Sequence, residues 1–187
     1  MKKFILRALL CTLCPAACAQ PSVEVKTNLG SFEIELYPDK APKTAENFLA
    51  YVREGFYQKV LFHRLVPNVL LQAGFYDSDW RMKTARSPVP SEAANGLSNT
   101  KWSVAMGHGR DPDSATSEFF INIGDNSDFD YAHDRSSAYY CVFGKVISGF
   151  DTLKKMVEPG IISGGDFVGD QPARPLIIEH IKILNAN

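Results

Sequence analysis

The sequence predicts a mainly β, antiparallel architecture, a barrel or a sandwich, with two isolated helices. Short alternating or apolar runs bounded by turn residues recur along the chain. Only two segments carry helical spacing. Strands and helices do not alternate in the βαβ rhythm of a doubly wound sheet.

The elements follow in order. Val23-Glu24-Val25-Lys26-Thr27 alternates apolar and polar residues, Asn28-Leu29-Gly30-Ser31 is turn chemistry, and Phe32 to Tyr37 alternates again. This is a β-hairpin with one face buried. Pro38 to Pro42 breaks it. Ala45, Phe48, Leu49 and Val52 fall at i, i+3, i+4 and i+7, with Pro42 near the start and Gly55 near the end, so a helix follows. Val60-Leu61-Phe62 and Leu65-Val66 frame the next strand, and Val69-Leu70-Leu71 opens another that ends at Gln72-Ala73-Gly74. Residues 75–102, rich in Asp, Ser, Asn, Pro and Gly, read as a long surface loop. Trp102 to Gly107 reads as a strand and His108 to Thr116 as polar loop. Glu118 to Ile123 and Tyr139 to Ile147 are strands with apolar residues in succession. Phe150, Leu153 and Val157 mark a short second helix, and Ile177 to Ile183 closes the chain as an alternating strand.

At 45% hydrophobic and 22% charged residues, the 187-residue chain has ordinary globular composition. Met1-Lys2-Lys3 and Arg7 form a basic start, Ala8 to Cys14 is an apolar stretch too short to span a bilayer, and Ala17-Cys18-Ala19 is a small-x-small cleavage site. Residues 1–19 therefore read as a Sec-type signal peptide, and residues 20–187 as one domain. Pro15-Ala16-Ala17-Cys18 loosely resembles a lipoprotein site, with Pro where Leu is usual. Cys11, Cys14 and Cys18 leave with the signal peptide, so Cys141 alone remains and no internal disulfide forms. Its apolar neighbours make it a buried inert thiol. The mature chain has 17 basic against 21 acidic residues and no basic stripe, which disfavours nucleic acid as a partner. No stretch is long enough to be a membrane span.

Much familiar chemistry is missing. His63, His108, His133 and His180 are far apart and sit in no metal-ligand spacing. There is no phosphate loop and no Gly-x-Ser-x-Gly, and the Gly164-Gly165 and Gly169 run lacks a strand-to-helix context. No metal and no cofactor is implied. Rotation about a bond is one of the few reactions that needs neither these nor a nucleophile.

The informative segment is Phe62-His63-Arg64-Leu65-Val66-Pro67. An Arg inside an apolar strand either snorkels to the surface or is held as a fixed donor in a dry, apolar cleft. His63 reads as a packed, hydrogen-bonded histidine rather than a catalyst. Phe62, Phe119, Val142 and Phe143 read as core, and Val69 and Leu70 as core or groove.

In this setting the chain resembles the cyclophilin family of peptidyl-prolyl cis-trans isomerases, especially its exported bacterial members. The resemblance runs over residues 22–184. It is carried by Ala41-Pro42-Lys43-Thr44-Ala45-Glu46-Asn47-Phe48, Phe62-His63-Arg64, Gln72-Ala73-Gly74, Glu92 with Asn95-Gly96-Leu97 and Asn99-Thr100, Asp113 to Asn122, and Val142-Phe143-Gly144-Lys145-Val146. It implies an eight-stranded antiparallel β-barrel capped by two α-helices, with a proline groove on the outer face.

The implied substrates are proline-containing polypeptides. By resemblance Arg64 donates to the prolyl nitrogen, and Gln72 positions Arg64 and binds substrate backbone. Phe120 floors the proline pocket. Gly107, His108 and Gly109 align with a segment that pairs with the peptide, and Tyr140 falls at the pocket rim.

Several groove positions depart from the family pattern. Val69 stands for a Phe, Leu70 for a Met, Ala73 for a Gly and Glu118 for a Gln. Asp128 falls at an aromatic rim position with Phe129 next to it, and a one-residue slip would put Phe129 at that rim. Phe to Val removes ~1–2 kcal/mol of contact with proline at ~25 cal/mol per Å². Glu118 places negative charge beside Arg64 and is expected to pair with it. The expectation is a monomeric periplasmic isomerase assisting the folding of exported proteins. The altered groove also suits a proline-peptide binding module of weak catalysis.

If the leader reading holds, intact-mass measurement on exported protein should find a chain beginning at Gln20. A species retaining Cys18 with added lipid mass would point to the lipoprotein route instead.

Overall fold

The computed structural model describes residues 20–131, 139–162 and 170–185. Residues 1–19 with Cys11, Cys14 and Cys18, then His133, and the run of Gly164, Gly165 and Gly169 lie outside the described residues.

The first hairpin forms where alternation places it. β1 (Ser22–Thr27) and β2 (Gly30–Leu36) pair antiparallel, from Ser22 opposite Glu35 to Thr27 opposite Gly30. Val23, Val25, Phe32, Ile34 and Leu36 point inward and are buried. Helix α1 (Pro42–Arg53) starts at the expected proline, but its N-cap, Ala41, has no side-chain acceptor. Glu92 supplies it from a distant loop, accepting from Lys43 N (3.1 Å), Thr44 N (2.9 Å) and Thr44 Oγ1 (2.8 Å). A carboxylate at a helix N-terminus satisfies orphan N–H donors and complements the dipole.

Next come β3 (Val60–Val66), β4 (Leu70–Asp77), β5 (Ser103–Met106), β6 (Phe119–Asn122) and β7 (Val142–Ser148). They are followed by α2 (Phe150–Val157), the two-residue strands β8 (Ile161–Ile162) and β9 (Gln171–Pro172), and β10 (Ile177–Asn185). Eight strands close a barrel in the order β1-β10-β3-β4-β6-β5-β7-β2, with every described pairing antiparallel, while β8 and β9 pair separately. Because β1 pairs with both β2 and β10, the sheet has no free edge there, and the sandwich alternative falls.

The barrel interior is filled by alternate residues of each strand, among them Phe62, Leu65, Leu71, Phe119, Ile121 and Phe143. Phe48 of α1 inserts its ring 5.3–5.4 Å from those of Tyr57, Phe119 and Phe143. Leu153 and Met156 of α2 are buried in the same core.

Two regions differ from the reading of the sequence. β4 continues through Phe75-Tyr76-Asp77, which composition assigned to loop, because Asp77 pairs with Val60 of β3. Beyond it, the connection to β5 is tied down by isolated bridges, Tyr76 with Met82 and Val89 with Ala115, and by a 3-10 turn at Ala93–Asn95.

Gly74 shows how closely β4 and the approach to β6 meet. Its φ is +109°, and a Cβ there would lie 2.2 Å from the Ser117 carbonyl oxygen and 2.9 Å from Glu118 Cα. Neither neighbour is a flexible side-chain end, so backbone would have to move. Gly74→Ala should cost about 2–5 kcal/mol from strain and overpacking together, read as a lowered urea midpoint.

Candidate active site on the outer face of the barrel

Side chains alternate along a strand, so Arg64, two places after inward-facing Phe62, would face the core in a regular β3. A β-bulge prevents this. Phe62 stands opposite Ala73 and Arg64 opposite Gln72, leaving His63 as the extra residue. After it the alternation resumes with the opposite phase: Leu65 is in the core and Arg64 is outside.

Strand pairing then lays out a row on the outer face. Arg64 opposes Gln72, Gln72 opposes Phe120, Phe120 opposes Ala105, and Ala105 opposes Val142. The polar end of this row is hydrogen-bonded and the other end is apolar. Leu70, Ala105, Phe120 and Val142 form a second hydrophobic cluster outside the barrel, flanked by Val66, Val69, Leu97, Phe129 and Tyr140. The Phe120 ring meets Tyr140 edge-on at 5.2 Å and Phe129 at 6.2 Å, and Phe129 meets Tyr140 at 5.4 Å. Such T-shaped contacts hold rings in fixed orientation.

At the polar end, Arg64 Nη1 donates to Gln72 Oε1 (3.3 Å) and Gln72 Nε2 donates to Glu118 Oε1 (2.8 Å). His63 Nε2 lies 3.1 Å from the same Glu118 oxygen, and its ring packs edge-on to Tyr76 at 5.2 Å. Arg64 Nε donates to Asp170 Oδ2 at 2.8 Å. Gln72 is thus oriented from both sides, its carbonyl toward Arg64 and its amino group toward Glu118.

The sequence-predicted residues converge. Arg64, Gln72, Glu118, Phe120, Leu70, Val69, Phe129 and Tyr140 share one outer surface. Gly107, His108 and Gly109 leave the end of β5 beside them: Gly107 N donates to the Glu118 carbonyl (2.8 Å), and the His108 ring stacks on Tyr140 at 4.6 Å. The ring nitrogens of His108 lie 2.8 Å from the Gly109 and Tyr139 carbonyl oxygens.

Three expectations need correction. Glu118 pairs with His63 and Gln72 rather than with Arg64, because the Gln72 amide is hydrogen-bonded between them; the carboxylate on Arg64 is Asp170. Val142 is buried, but in the outer cluster rather than the barrel core, because the register with β5 slips between Gly144 and Val142 and leaves Phe143 as an extra residue. Arg64 is not enclosed in a dry cleft: its side chain is 40% exposed, lying beside the apolar cluster instead. Asp170, Ala105, Val66 and Leu97 were missed. Asp170 belongs to a loop without periodicity and meets Arg64 across 106 positions of sequence, so no local signal marks it.

The sequence of residues 22–183 matches the family described as cyclophilin type peptidyl-prolyl cis-trans isomerase/CLD. The chain belongs to this family. It is 42% identical over 171 residues to a peptidyl-prolyl cis-trans isomerase of Acinetobacter baylyi, covering 91% of this chain and 89% of that one. It is 37% identical over 163 residues to peptidyl-prolyl cis-trans isomerase B of Escherichia coli, covering 86% and 98%. Its barrel superposes on a cyclophilin type isomerase of Cryptosporidium parvum with a TM-score of 0.70 at 23% identity, covering 89% and 99% of the two chains. The enzyme class is therefore peptidyl-prolyl cis-trans isomerase.

Within this cyclophilin, Phe129 rather than Asp128 joins the apolar cluster, and Asp128 is exposed. Val69 keeps its turn in place through its carbonyl, which accepts from Ile123 N (2.8 Å) and Asn126 Nδ2 (2.9 Å).

Cys141, next to Tyr140 and Val142, is buried, and its Sγ lies 3.6 Å from Thr44 Oγ1. Burial pushes its thiol up to about 11, against the opposing effect of the Thr44 hydrogen bond. In the folded protein at pH 8 it should react with iodoacetamide roughly 100-fold more slowly than in the urea-unfolded chain. The folded state holds this proton more tightly than the unfolded chain does. Its contribution to stability is therefore full below about pH 8.5 and is lost as pH rises toward 11, which urea titrations at pH 8 and 10 will show.

Proposed function

We propose that this cyclophilin isomerises X–Pro bonds of exported polypeptides, with Arg64 as the donor to the twisted amide. The observation that carries this reading is the single outer row from Arg64 and Gln72 to Phe120, running from hydrogen-bonded guanidinium to apolar cluster.

Amide resonance raises a barrier of ~18–20 kcal/mol to rotation, although the cis and trans forms of X–Pro differ little in energy. In the twisted state resonance is lost, and the prolyl nitrogen pyramidalises and gains a lone pair. An N–H of Arg64 donates to that lone pair only in the twisted state, so it lowers the barrier without tightening the ground state. Phe120, with Leu70, Val69, Phe129 and Tyr140 around it, holds the proline ring. Gln72 orients Arg64, and the Gly107-His108-Gly109 segment offers main-chain groups to the peptide. No covalent step or proton transfer is required.

Export is supported by the basic start, the short apolar stretch and the Ala17-Cys18-Ala19 site, and the periplasm is the compartment we assign. The whole row comes from one barrel, which supports action as a monomer.

NMR exchange on a Suc-Ala-Xaa-Pro-Phe peptide with the mature protein tests the reading. We expect catalysed cis–trans exchange that falls about 100-fold or more in Arg64→Ala, the loss typical of removing one transition-state donor. Peptide shifts on binding without faster exchange would mean that Val69 and the exposed Asp128 have left a proline-binding module instead.

A further inference from the structure

A guanidinium on a long flexible stem is a poor catalyst unless its plane is fixed before substrate arrives. In this chain two groups fix it. Gln72 takes Nη1, and Asp170 takes Nε through a charge-assisted bond of 2.8 Å. Among the described residues nothing bonds Nη2, so this amino group is the donor left for a substrate.

Asp170 is placed for this by its main chain. Its carbonyl oxygen accepts from Leu65 N at 2.6 Å, immediately after the bulge that turns Arg64 outward. That bond holds the main chain at position 170 against β3 whatever side chain it carries. The carboxylate itself is about one-third exposed and Arg64 is 40% exposed. Ion pairs so open to water contribute little to stability, so the pair is poorly explained as a structural strut. Its consequence is geometric: Nε and Nη1 clamped together define the guanidinium plane.

We propose that Asp170 is a positioning residue for Arg64, holding the guanidinium in its catalytic orientation from the turn residue that precedes β9. This rests on Arg64 being the donor described above. It goes beyond that role in assigning a function to a residue outside the groove.

The test compares mature wild type, Asp170→Asn, Asp170→Ser and Arg64→Ala by peptide exchange NMR, with the Arg64 Nε–H resonance followed in each protein that retains it. Both Asp170 variants should lower kcat roughly 10- to 100-fold, the scale of a misoriented catalytic group. KM should stay within about threefold, since the apolar pocket is untouched. In the same samples the Arg64 Nε–H should lose its protection and exchange quickly with water. Unchanged kcat in both variants would overturn the proposal, as would a lowered kcat with the Nε–H signal as in wild type. Wild-type turnover in Arg64→Ala is a different failure: it removes the donor role itself, and the positioning role with it.

Discussion

The site depends on one extra residue in one strand. The bulge at His63 lets Phe62 and Leu65 both face the core while Arg64, between them, faces out. Without it the guanidinium would enter a barrel filled with aromatic and aliphatic side chains. There it would be an uncompensated buried charge, at a cost of several kcal/mol. His63, the residue left over, is itself buried, and Glu118 meets its Nε2. The bulge keeps a charge out of the core and aims it across the outer face.

The outer face is the second constraint. Most antiparallel barrels show water an outer surface of polar residues. Here part of that surface is apolar, and Phe120 of β6 is nearly as buried as Phe119 behind it. The two phenylalanines do different work: Phe119 packs on Phe48 and Tyr57 inside, and Phe120 carries Tyr140 and Phe129 outside. The glycine at position 74 permits the close approach of β4 to the segment entering β6 that brings Gln72 and Glu118 together.

The polar chain Asp170–Arg64–Gln72–Glu118–His63 places one neutral amide between the guanidinium and the Glu118 carboxylate. Interposing Gln72 separates the Glu118 carboxylate from the guanidinium, so Glu118 orients the amide instead of neutralising the donor. Phe129 and Tyr140 supply the aromatic rings that flank Phe120 in the outer cluster, where Val69 is aliphatic.

The sequence by itself determined the strands with clear period, the hairpin at 23–37, both helices and the inert thiol, because alternation and helical spacing are local consequences of burying one face. The motif around Arg64, read together with Gln72 and Phe120, also determined the family. What only the tertiary structure decided were relations between distant segments. Val142 looked like barrel core because the register slip at Phe143 that turns it outward leaves no mark in an apolar run. Glu118 looked like the partner of Arg64 because charge is visible in sequence while the intervening Gln72 is a matter of register. Asp170 was invisible, since an acid in a turn acquires its meaning only when the fold brings its main chain against Leu65 of β3. Local patterns record which face is buried; closure and register decide which side chains meet.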